Sequence, residues 1–89
     1  MIALECHLNG TKIATAGGND VGLLLAILTW CLDEDEANGE RADIEICGQR
    51  DHHHLVWKNV RLQRGDEVVL RLVDVGAIDV DQPAERLIP

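Results

Sequence analysis

The groups in this chain that could do chemistry are four histidines, three cysteines and a surplus of carboxylates. The densest cluster is His52-His53-His54, between Asp51 and the run Leu55-Val56-Trp57. On an extended strand alternate residues share a face, which would place His52 and His54 ~6.6 Å apart on one side. Two imidazoles at that spacing can chelate Zn²⁺, with Cys47 or Asp51 completing the set. A structural zinc site needs a full tetrahedral set, and no CxxC or HExxH spacing accompanies the triplet. The plainer expectation is the polar, solvent-facing end of a strand leading to Trp57, in a protein without a cofactor. Zinc at His52, His54 and Cys47 is the alternative.

The other combinations are weaker. Cys6 and His7 are adjacent, but neighbours on a strand point to opposite faces and cannot form a thiolate–imidazole couple. The acidic run 33–36 and the pair Asp79 and Asp81 lack the spacing of a calcium loop. Gly17-Gly18 belongs to neither GxGxxG nor GxxxxGK. Serine and tyrosine are absent, which removes serine nucleophiles and tyrosine acids. Arg71, between Leu70 and Leu72, reads as the cationic half of a cross-strand ion pair. Trp30 and Trp57 are the only aromatic residues. A tryptophan left exposed would mark a contact surface, since interface hot spots favour Trp and Arg. Trp57 beside Lys58 and Arg61 is the candidate for binding a partner.

These residues are carried by elements of alternating pattern. Residues 2–8 place Ile2, Leu4, Cys6 and Leu8 on one face, and Asn9-Gly10 turns the chain into a second strand. A two-residue loop in plain register sets His7 opposite Lys12 and Cys6 opposite Ile13. Residues 21–32 are apolar throughout. Gly22 would weaken a helical first turn, no polar face exists, and the acids at 33–36 would crowd the negative end of a helix dipole. The expectation is a strand covered on both faces, with a helix as the alternative. Residues 42–47 alternate, Ile44 and Ile46 inward; Leu55 and Trp57 share a face, and Asn59 shifts the parity as a bulge would. After Gly65-Asp66, Val68, Leu70 and Leu72 line one side of a further strand. Residues 76–89, with Pro83 and Pro89, read as an extended C-terminal tail. The sum is one domain over 1–89, mainly β, a small antiparallel sandwich or partly open barrel of five to six strands.

Composition sets the class. With no Phe and 46% apolar residues, the core must be aliphatic. Surface scaling for a chain of 9.8 kDa gives about 9,000 Å² buried of about 14,000 Å² in the unfolded chain, a marginal core that oligomerisation would support. Sixteen acids against eight bases, a formal charge of −8, argue against nucleic acid and against anionic membranes. The N-terminal stretch has an acid at position 5 and no basic segment, unlike a signal peptide. The odd, sparse cysteines suggest reduced thiols in the cytoplasm.

The segments LNGTKIATAG, GLLLAILTW, HLVW and LQRGDEVVLRLVD, followed by DQP, resemble a group of small bacterial β-rich proteins of similar length. The resemblance implies a small β protein of bacterial type and carries over no catalytic residue. The expected function is therefore a non-enzymatic cytoplasmic module that binds another protein or itself. The rivals are a metal- or small-ligand-binding module at His52 and His54, and a small enzyme with a histidine or carboxylate base.

Overall fold

The computed structural model describes residues 1–87. Among them seven strands form two antiparallel sheets: β1 (Ile2–Leu8), β2 (Thr11–Gly17), β3 (Leu23–Leu32), β4 (Glu40–Arg50), β5 (His53–Leu62), β6 (Val68–Asp74) and β7 (Ala84–Leu87). One sheet runs β2-β1-β6 and the other β3-β4-β5-β7. They stack as a sandwich-like pair and do not close into a barrel. The strand count exceeds the five or six expected, because the C-terminal stretch carries a 3-10 turn at Ala77–Asp79 and then β7. Residues 88 and 89, the last of the expected 76–89 tail, lie outside the described residues.

The β1–β2 hairpin forms where both loop residues tolerate positive φ, Asn9 at 51° and Gly10 at 84°. His7 faces Lys12 as expected, but Cys6 faces Ala14 rather than Ile13, because the register shifts between Cys6 and His7. That bulge turns Ala14 and Ala16 inward beside Leu4 and Cys6. Small side chains on β2 let the sheets approach, and Ile44 and Ile46 of β4 fill the space from the other side. Burying side chains of that size contributes about 1.5–3 kcal/mol each. Leu24, Ala26, Val60, Leu62 and Val68 pack around this centre.

A second bulge differs from the expectation at Asn59. Ile46 pairs with Lys58 and Cys47 with Val56, leaving Trp57 as the extra residue. Its ring packs on the core and lies over Gly48, where an added Cβ would stand 3.2 Å from the indole and collide with the Leu23 carbonyl oxygen. The indole Nε1 donates to the Asp81 carbonyl at 2.9 Å. Asp81 also binds the outer edge of β2: its N–H donates to the Thr15 carbonyl at 2.9 Å, and its carboxylate accepts the Thr15 N–H at 2.8 Å. The C-terminal segment is thus a strap from the β2 edge to β5, which β7 then extends.

Candidate functional site

β3 is ten residues, LLLAILTWCL, without a charge. It is extended because β4 offers a full-length partner, in register from Leu23↔Gln49 to Leu32↔Glu40. It ends where the loop 33–39 folds back, with the Asp33 N–H donating to the Gly39 carbonyl at 2.9 Å. β3 is the last strand of its sheet, so every second N–H and C=O along it faces outward without a strand partner. The expectation that it is covered on both faces is corrected here. Leu25 and Ile27 on one face are 38% and 45% exposed; Leu28, Trp30 and Leu32 on the other are 60%, 55% and 78% exposed. Only Leu24 and Ala26 pack against the core. A continuous apolar run signals that both faces want cover, and this chain supplies cover for part of one face.

At the far end of β3 the side chains form a defined cluster. The Trp30 Nε1–H donates to Glu40 Oε2 at 2.6 Å. Arg64 donates to the same carboxylate from Nε at 2.6 Å and from Nη2 at 3.2 Å, the bidentate geometry that suits guanidinium and carboxylate. Arg64 first, and Trp30 second, hold the Glu40 carboxyl below the usual carboxylate range. Beside the cluster lies a concavity of about 210 Å³ lined by Leu28, Trp30, Ala42, Leu62 and Arg64. Trp30 is thus an exposed aromatic held in one orientation. Its place at the end of an edge strand was hidden in the sequence; the visible signal was the Asn38-Gly39 turn, which returns Glu40 alongside it.

The other outer strands carry a strap or charges, and β6 also exposes Val69, Leu70 and Leu72. β2 is capped by Asp81. β6 carries Arg71 in mid-strand, cross-paired with Glu5 at 3.5 Å. β7 is four residues, AERL, and its Glu85 is bound by Arg50 at 2.7 Å. Short length and charges are the usual means by which edges avoid pairing.

The residues singled out from sequence are placed as follows. Trp57 is half-buried, in the core packing and the strap. Lys58 is exposed, and Arg61 donates to Glu36 at 2.7 Å. β5 begins at His53, so His52 lies in the preceding turn, where Asp51 adopts a φ of 50°. His52 and His54 are therefore not on the same strand segment. His54 pairs with Gln49 and stands 3.9 Å from Glu45. Cys47 is buried opposite Val56, and burial, reinforced by Glu45, pushes its thiol pKa up. Among the described residues no group of three His, Cys, Asp or Glu side chains is gathered as a metal set. Cys6 is buried with its thiol likewise raised by burial, while His7 binds Glu5 at 2.6 Å.

Comparison with protein-family models, with curated proteins and with solved structures returned no match in any of the three.

Proposed function

We propose that the protein is a non-catalytic, cytoplasmic interaction module that acts by contact between macromolecules along β3. One observation carries this reading: a ten-residue uncharged edge strand, exposed on both faces, in a chain whose formal charge is −8. An edge of that kind is a template for strand addition, in which backbone hydrogen bonds supply affinity and alternate side chains supply specificity. Trp30, fixed by Glu40, supplies the aromatic anchor that such surfaces favour. The three cysteines are free thiols, which fits a reducing compartment. Several ionic groups pair with one another, as in Glu40–Arg64, Arg50–Glu85 and Arg61–Glu36, an arrangement suited to holding a scaffold.

The test is a charge at the middle of the edge. Ile27→Lys is expected to weaken association about 100-fold, with itself or with a copurifying protein, in light-scattering and co-elution measurements. Ile78→Lys, at an isolated side chain in the 3-10 turn, leaves it unchanged. Wild-type protein that stays monomeric and without partners at all concentrations overturns the reading.

A further inference from the structure

We infer that the occupant of the β3 edge is an extended apolar segment of another protein, preceded by lysine or arginine and added antiparallel, so that its basic end meets the loop 33–36. The inference rests on the reading of β3 as the contact surface and names the chemistry of what fills it.

β3 itself has no charge, so the field along it is set by what adjoins its two ends. Beyond Leu32, six carboxylates lie between residues 33 and 43. Three arginines are bound among them: Arg41 to Asp43 at 3.7 Å, Arg61 to Glu36 at 2.7 Å and Arg64 to Glu40 at 2.6 Å. Asp33 accepts the Asp35 N–H within the loop at 3.0 Å. Glu34 and Asp35 are exposed, and among the described residues neither carboxylate takes part in a hydrogen bond or an ion pair. At the Leu23 end, Arg50 is shared between Asp20 at 3.3 Å and Glu85 at 2.7 Å, and Asp51 is exposed. Both ends are negative, the Leu32 end more so.

This local charge selects among occupants. A second copy paired antiparallel would bring its own Asp20 end to the loop 33–36 and set acid against acid. A neutral segment leaves Glu34 and Asp35 without a counter-charge, and an acidic one is repelled by a chain of formal charge −8. A basic end is attracted from a distance and then held beside Glu34 and Asp35, the way complementary charge sets partner choice and orientation. Exposed ion pairs add little affinity; the open backbone and apolar side chains of β3 supply most of it.

Geometry gives the direction. Every ladder among the described residues is antiparallel, the commoner pairing in sheets generally. A strand added in that sense has its N-terminal end beside Leu32, so its cations precede its apolar residues. Glu34 and Asp35 follow closely on Leu32, within reach of the long stems of lysine and arginine. The apolar run that comes next meets Leu28, Trp30 and Leu32 on one face and Leu25 and Ile27 on the other, all exposed in the isolated chain. Opposed residues of an antiparallel pair share a face, so apolar side chains on either face of the added segment bury surface against β3.

The test is the anisotropy of labelled synthetic peptides titrated with the full chain. One peptide is two lysines followed by alternating valine and threonine, residues that favour strands. The second has glutamates in place of the lysines, and the third is the first in reverse order. The lysine-first peptide is expected to bind about tenfold tighter than the glutamate peptide, with the gap narrowing as salt is added. Glu34→Gln combined with Asp35→Asn is expected to weaken the lysine-first peptide about fivefold, with unchanged circular dichroism. Ile27→Glu adds negative charge but spoils the apolar edge, and is expected to weaken it about tenfold. Equal binding of the lysine-first and glutamate peptides, of the lysine-first and reversed peptides, or of the wild type and the loop variant overturns the inference. So does a wild type that binds no peptide, or that forms a dimer which Ile27→Glu dissociates. In each case where Ile27→Glu still breaks the contact, β3 stands as the contact surface and only the chemistry of its occupant falls. A lysine-first peptide that binds the Ile27→Glu chain more tightly overturns both.

Discussion

The two edges of the four-stranded sheet differ in nearly every respect. β7 is four residues, has Glu85 and Arg86 at its centre, and is tied through Asp81 and Trp57 to the other sheet. β3 is ten residues, uncharged and exposed on both faces. One edge carries the features that discourage a further strand and the other lacks them. The lesson is that edge chemistry, rather than pocket chemistry, distinguishes the parts of this surface. β3 offers roughly 33 Å of unpaired backbone at ordinary strand rise.

Removing what guards β7 should have the largest effect. Trp57→Ala takes away the ring over Gly48 and the bond to Asp81, so the strap and β7 loosen together. The expected loss is about 3 kcal/mol in urea unfolding, in the range of large aromatic truncations. Ile27→Lys acts at the opposite edge without touching the core, and is expected to weaken association about 100-fold, or about 2.7 kcal/mol. Stability measured at concentrations where the chain is already monomeric should change by less than ~0.5 kcal/mol. Replacing Glu85 and Arg86 by valine makes β7 resemble β3. Sedimentation should then show higher oligomers than wild type, a gain of about tenfold in association; no change would mean that shortness alone protects this edge.

The smallest effect is at Glu40. Its carboxyl is depressed in the folded protein by Arg64 and Trp30. The stabilisation is therefore present above the pKa of the unfolded carboxyl and is lost as pH falls through the lower folded value. In a Trp57→Phe background, Trp30 fluorescence should hold steady through neutral pH and shift only below the ordinary carboxylate range. Arg64→Ala should move that midpoint upward.

How legible these features were depends on whether the determinant was local. The hairpin could be read because Asn9 and Gly10 both carry the positive φ that the turn demands. Its bulge could not, since one inserted residue leaves no compositional mark and merely exchanges Ile13 for Ala14 opposite Cys6. The extended state of β3 followed from its lack of a polar face. Its position at an edge did not, because hydrophobic periodicity reports a need for cover and not the source of it. β7 was hidden behind Pro83, in a segment whose order comes from distant β5. The proposed metal set depended on where β5 begins, and the strand starts at His53, leaving His52 in the preceding turn.

The β1–β6 ladder, running from Ile2↔Asp74 to Leu8↔Val68, has a consequence for assembly during synthesis. This ladder must wait for most of the chain to emerge, because loop closure over that span precedes any reward from pairing. The β3-β4-β5 meander needs only neighbouring residues and can form first. A nascent chain therefore presents β3 before β6 completes the opposing sheet, so the apolar margin is most accessible during synthesis.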